Sequence, residues 1–223
     1  MSRALTNRLV TFRASADRLV RAGLRHAAAK PVVWSVCAGP LVWLVWGAWQ
    51  DLLGANPAEY LIRSTGELAL RMLCLTLTVT PLRVWATWPE LARFRRMLGL
   101  WTFAYAVLHA TCYAWFDMGL DVPDILRDVA KRPFILVGVL SWLLLLPLAA
   151  TSFHAAIRRL GAQRWQRLHR AVYAVAPLVV LHFYWMRSGK NHFDEVWIYG
   201  LWLATVLVWR VWHARRPQGT KRS

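Results

Sequence analysis

Apolar residues in this chain gather into six blocks, at about 31–50, 66–86, 97–116, 134–153, 169–187 and 196–213. Each approaches the roughly 20 residues that a helix needs to cross the hydrocarbon of a bilayer. The third and fourth blocks are the clearest. The second is the weakest, because Arg71 and Arg83 bracket only eleven uncharged residues and both must reach toward opposite headgroup layers. Prolines 40, 81, 147 and 177 fall within or at the ends of blocks, where neighbouring helices satisfy the freed carbonyls. Ahead of the blocks, Leu5, Leu9, Phe12, Ala16, Leu19, Val20 and Leu24 recur at helical spacing among Arg3, Arg8, Arg13, Arg18, Arg21, Arg25 and Lys30. That pattern predicts an amphipathic helix on an anionic leaflet, with a disordered basic tail as the competing reading. Arginines spread through the whole segment do not fit a cleaved signal peptide. The expected fold is all-α: a basic cytoplasmic arm over 1–30, a polytopic bundle of six transmembrane helices over 31–213, and a basic cytoplasmic tail over 214–223.

Composition sharpens this picture. The chain of 223 residues is 57% hydrophobic, holds 15 Trp, and yet carries a net charge of +17. A soluble nucleic-acid binder or a disordered basic chain would not combine that charge with such long apolar runs. Segregation of lipid-embedded blocks from basic loops reconciles the two. If the arm, the 83–96 and 158–170 loops and the C-terminal end share one side, that side holds 21 of the 28 Lys and Arg and, of the acidic residues, only Asp17 and Glu90. Basic loops stay cytoplasmic, so both termini are expected inside and the membrane is crossed six times. This account explains the basicity without nucleic acid. The three cysteines, Cys37, Cys74 and Cys112, lie inside apolar runs and read as small buried hydrophobes. No CxxCH occurs, so a haem, if held, is held without thioethers.

Among the seven histidines, His26, His192 and His213 lie near loops or block ends and need no special role. His109 and His182 sit well inside apolar blocks, where an ionisable side chain is costly and marks a functional site. His109 lies 13 residues past Arg96 and His182 lies 12 past Arg170, on two helices expected to run the same way. At about 1.5 Å per residue both stand some 18–20 Å beyond the boundary arginines, level with each other. Two neutral imidazoles at one depth, with no carboxylate beside them, suit axial coordination of one haem iron. The alternative is that each simply hydrogen-bonds a neighbouring helix. His169 precedes His182 by 13 residues on what reads as the same helix, about 140° out of phase, so that Pro177 or a bulge would have to re-phase it for a second metal level. Arg95 and Arg96 stand at the matching level on the third helix, leaving His154 as the other candidate ligand. Arg164, Arg167 and Arg170 are candidate contacts to a cofactor's phosphate or propionates, against a plainer role as solvated topology signals.

Several stretches carry a wider resemblance: GANPAEYLIRSTG at 54–66, TVTPLR at 78–83, RRMLGLWTFAYAVLH at 95–109, LLPLAATS at 145–152, RWQRLHRAVY at 164–173 and LHFYW at 181–185. Over roughly residues 50–200 the chain resembles the ferric-reductase-like membrane domains, and within them the haem-binding membrane subunits of bacterial periplasmic methionine sulfoxide reductase systems. The resemblance implies an inner-membrane electron-transfer subunit, with sulfoxide reduction carried out by a periplasmic MsrP-type molybdoenzyme. It implies haem b, with His109, His169 and His182 matching the family's haem histidines. Electrons would come from the quinone pool or a separate flavin reductase, and a bound FMN is compatible with it. Related oxidases and reductases hold two haems between two helices. This chain departs from them in having Arg95 where one of those histidines would align. No Gly-rich dinucleotide fingerprint is present to bind NADPH directly. Two other functions fit the same residues, an orphan ferric or cupric reductase and a cofactor-free transporter or assembly factor with histidines as polar contacts.

Overall fold

A computed structural model describes residues 15–188 and 193–216. The first half of the basic arm, His192 and most of the C-terminal tail therefore lie outside the described residues. Everything regular among the described residues is helical. Residues 15–25 form α1, followed by α2 (Ala29–Trp49), α3 (Pro57–Trp85), a 3₁₀ turn (Pro89–Leu91), α4 (Ala92–Cys112) and a π turn (Tyr113–Asp117). The rest of the chain forms α5 (Val122–Lys131), α6 (Pro133–Ala150), α7 (His154–Leu160), α8 (Ala162–His169), α9 (Val172–Ser188) and α10 (Asp194–Arg215).

Each of the six apolar blocks is mostly helical, the fifth from Val172 onward and the fourth as far as Ala150. Three of them, α2, α3 and α6, are long and apolar enough to cross a membrane by length and composition. Helix α4 opens on Arg93, Arg95 and Arg96, while α9 has 17 residues. The prolines expected in or near spans sit inside α2, α3, α6 and α9. Large apolar side chains cover much of the outer surface, among them Trp43, Trp46, Leu140, Leu143, Leu201 and Val208. An exterior of this kind suits contact with acyl chains.

Helix α3 starts nine residues before the apolar block that predicts it. Asn56 caps it, its side chain accepting a 3.1 Å bond from the Glu59 amide, and Pro57 follows in the first turn. The resulting 29-residue helix is the centre of the molecule. One of its faces packs Leu68, Met72 and Val79 against Cys37 and Leu44 of α2 and Phe94, Leu98 and Tyr105 of α4. Its other face packs Leu70, Leu73, Cys74 and Leu77 against α6, α9 and α10, through Leu145, Val175, Phe183 and Leu203. Tyr105, fully buried, donates its hydroxyl to the Cys37 carbonyl at 2.6 Å and pins α4 to α2. Arg71, half exposed, pairs with Glu67 one turn earlier and donates to the Tyr199 hydroxyl of α10 at 2.9 Å. Nearer the other end, Trp202 donates to Thr78 at 2.8 Å, and Arg210 bridges the Leu77 carbonyl and the Tyr173 hydroxyl. Polar side chains inside an apolar bundle thus find partners on neighbouring helices.

Short helices occupy the segments between blocks. Asp121 caps α5 by accepting from the Asp124 amide at 2.9 Å, and Tyr113 of the π turn donates to Asp128 at 2.7 Å. This bond ties the end of α4 to α5. At the basic end, α1 is clasped to the turn between α3 and α4. Glu90 accepts from Arg21 at 3.2 Å and from Arg25 at 2.8 Å, Trp88 donates to Asp17 at 3.2 Å, and Arg93 donates to the Leu24 and Arg25 carbonyls. Hydrogen bonding to backbone amide, with the two arginines adding to it, holds the Glu90 carboxyl below its ordinary range. A carboxylate whose folded pKa is depressed contributes stability that is present above the unfolded value and lost as pH falls through the folded one. Hydrogen exchange over residues 15–25 is therefore expected to stay slow at neutral pH and to accelerate in acid. Glu90→Gln should give fast exchange there already at neutral pH, and an unchanged profile in the variant would mean that Glu90 does not hold the clasp.

Candidate metal centre

Helix α4 presents His109 in its last turn and α9 presents His182 near its middle. Each imidazole is held by the same device on a different helix. The His109 ring donates from Nδ1 to the Ile62 carbonyl of α3 at 2.8 Å, and the His182 ring donates from Nδ1 to the Phe134 carbonyl of α6 at 2.6 Å. Four residues after each acceptor stands a glycine, Gly66 on α3 and Gly138 on α6. A Cβ at Gly66 would fall 2.9 Å from His109 Nδ1, and one at Gly138 would fall 2.9 Å from His182 Nδ1. Only glycine leaves room for a ring lying flush on the helix backbone at these two positions.

This bonding fixes the chemistry of both rings. With Nδ1 carrying the proton and donating it to a carbonyl, Nε2 keeps its lone pair, which is the form that ligates a metal. The two ring centroids lie 6.2 Å apart with an interplanar angle of 75°. A metal–imidazole bond of about 2 Å, with the centroid about 1.1 Å behind the nitrogen, places two rings sharing one metal roughly 6 Å apart. The observed spacing meets that requirement. Among the described residues no group of three or more His, Cys, Asp or Glu side chains is arranged to hold a metal ion. Two imidazoles without further protein donors fit a metal whose remaining ligands belong to a prosthetic group, as in a porphyrin.

Comparison with known sequences accords with this geometry. The profile of the family described as "Ferric reductase like transmembrane component" matches residues 65–181. A protein of Polaromonas naphthalenivorans named "Protein-methionine-sulfoxide reductase heme-binding subunit MsrQ" is 60% identical over 190 residues, covering 85% of this chain and 87% of its own length. Proteins of the same name from Herminiimonas arsenicoxydans and Caulobacter vibrioides are 51% and 43% identical, covering 74% and 83% of this chain and 75% and 87% of their own lengths. The chain belongs to the ferric reductase-like transmembrane family and, within it, to the MsrQ group. No solved structure matches it.

The other residues singled out in this MsrQ-group sequence are placed differently. His169 closes α8, and a turn at 170–171 separates it from α9, so the two histidines are not on one continuous helix and the 140° phase difference does not apply. Helix α8 is tied to the end of α6, where Trp165 donates to the Thr151 carbonyl at 2.9 Å, and within α8 Trp165 stacks on the His169 ring at 4.0 Å. His169 Nε2 faces Thr151 Oγ1 at 3.0 Å, and burial, followed by the Arg95 charge, holds its pKa below the ordinary value. His154 Nε2 lies 3.2 Å from Arg96 Nη1, so His154 and His169 engage different partners. Arg164, Arg167 and Arg170 are exposed on α8 and the turn after it.

Gly66, Gly138 and the two carbonyl acceptors were not singled out from the sequence. The available signal was a glycine inside each of two apolar helices, where glycine costs about 1 kcal/mol relative to alanine and so asks for a packing reason. Gly66→Ala and Gly138→Ala should each displace the facing imidazole and weaken metal retention by about 10–100-fold, read as iron per chain after purification. Gly99→Ala, whose Cβ would meet Thr76 at an ordinary 3.7 Å, serves as the control and should retain iron. Full iron in the first two variants would show that the close approach is immaterial.

Proposed function

We propose that this chain is the haem-carrying electron-transfer subunit of a membrane protein-methionine-sulfoxide reductase system. The observation that carries the proposal is the pair of imidazoles 6.2 Å apart, each with Nδ1 bonded to a carbonyl. The relatives' name, which states haem binding, supports it. In this reading His109 and His182 would hold one haem b through their Nε2 atoms. When bound, the haem would supply one-electron redox chemistry at its iron.

The chain's own residues do the rest. The Ile62 and Phe134 carbonyls keep the proton on Nδ1, orient each ring and make Nε2 a stronger donor, which favours the oxidised metal. Gly66 and Gly138 give each ring its bed. Two neutral ligands, carried on α4 and α9 and bedded on α3 and α6, reorganise little when the charge at the centre changes, which suits passage of electrons. His169 is the position through which a second haem would have to be held.

The proposal extends to placement and partners. Helices α2, α3, α4, α6, α9 and α10 cross the bacterial inner membrane, with α1 and the C-terminal end on the cytoplasmic side, as the distribution of Lys and Arg favours. Electrons arrive from the quinone pool or from a cytoplasmic flavin reductase, with FMN as a compatible second cofactor. They leave to a periplasmic MsrP-type molybdoenzyme, which performs the sulfoxide chemistry. Helix α5 and its acidic residues belong to the outer face that meets this partner.

Purified protein is expected to show the absorbance of a low-spin b-type haem, with iron near one per chain. His109→Ala and His182→Ala should each abolish the low-spin spectrum, whereas His169→Ala should leave it in place. A colourless preparation, or a spectrum indifferent to His109→Ala and His182→Ala, would refute the proposal.

A further inference from the structure

A second site opens at the basic end of the bundle, between the first turns of α2 and α4. A cavity of about 470 Å³ there is lined by Lys30, Arg93 and Arg96 on one side and by Trp34, Trp101 and Ala104, with neighbouring apolar residues, along its length. The two tryptophan rings lie 5.4 Å apart. Trp34 and Leu100 are exposed, so the cavity opens onto the apolar outer surface of the bundle.

Three cations converge on this cavity without a carboxylate. Among the described residues neither Lys30, Arg93 nor Arg96 has an ion-pair partner. The nearby acids are already engaged: Glu90 accepts from Arg21 and Arg25, and Asp17 accepts from the Trp88 indole. Arg93 spends one nitrogen on the Leu24 and Arg25 carbonyls and Arg96 spends one on His154, which holds both guanidinium groups in place without neutralising them. Converging unneutralised cations above an apolar groove ask for an anion that carries an apolar tail.

We propose that this cavity binds one anionic phospholipid, its phosphate held by Lys30, Arg93 and Arg96 and an acyl chain laid along Trp34, Trp101 and Ala104. An open apolar side favours a lipid over free phosphate, because free phosphate would leave the tryptophan wall without a partner. The site goes beyond the electron-transfer proposal and does not depend on a haem being present.

The test is native mass spectrometry of the full-length protein in mild detergent, titrated with phosphatidylglycerol, with phosphatidylcholine of the same chains, and with inorganic phosphate. Phosphatidylglycerol should be retained in preference to phosphatidylcholine, and inorganic phosphate should not displace it. Lys30→Gln removes one cation that makes no side-chain hydrogen bond or ion pair among the described residues, and it should weaken retention about fivefold. Ala104→Leu leaves every charge in place but fills the groove, and it should weaken retention as well. Helix content by circular dichroism and, where haem is bound, an unchanged visible spectrum confirm that each variant is folded. Equal retention of the two lipids, or undiminished phosphatidylglycerol in both variants, overturns the proposal. Displacement by inorganic phosphate, with Ala104→Leu behaving as wild type, overturns the lipid in favour of a free-phosphate site.

Discussion

Two hydrogen bonds set the character of this molecule: Nδ1 of His109 to the Ile62 carbonyl, and Nδ1 of His182 to the Phe134 carbonyl. Each settles which ring nitrogen carries the proton, and so leaves two Nε2 lone pairs in a shared apolar interior. An imidazole buried among helices without such a partner would have an unsatisfied N–H, at a cost of about 1–3 kcal/mol. The carbonyls remove that cost and aim the rings at once. The glycine four residues after each acceptor makes the arrangement sterically feasible, because any side chain there would occupy the ring's place.

The rest of the fold serves to keep four helices in register around these bonds. Helix α3 contributes Ile62 and Gly66 and also both faces of the packed interior, so the ring bed and the core share one rigid element. Tyr105 sits one turn before His109 on α4 and anchors that helix to α2 through a buried hydroxyl. Phe134 and Gly138 begin α6, directly after Arg132 and Pro133 set its first turn. Arg71 and Glu67 pair with each other and both bond the Tyr199 hydroxyl, which fastens α10 to α3.

Much of this was legible in the sequence because it is one-dimensional. Apolar block length predicts the long helices, and counting residues from Arg96 and Arg170 puts His109 and His182 at one depth, where their rings do meet. What the chain conceals depends on contacts between segments far apart. Gly66 and Gly138 read as ordinary small residues until the rings from α4 and α9 are seen against them. The early start of α3 rests on a capping asparagine outside the apolar block. The break before α9 falls at the edge of an apolar block and is marked by no proline or glycine; beside it, α8 is tied to the end of α6 through Trp165 and the Thr151 carbonyl. Helices α5, α7 and α8 are short and lie between the apolar blocks, where the length of an apolar run gives no signal.

The central claim is that both histidine Nε2 atoms meet one iron. Electron–nuclear double resonance on ferric protein grown with ¹⁵N-imidazole histidine reads this directly. Two strongly coupled axial nitrogens of imidazole type, with one lost in His182→Ala, are the predicted result. One such nitrogen or none in the unaltered protein would contradict the account.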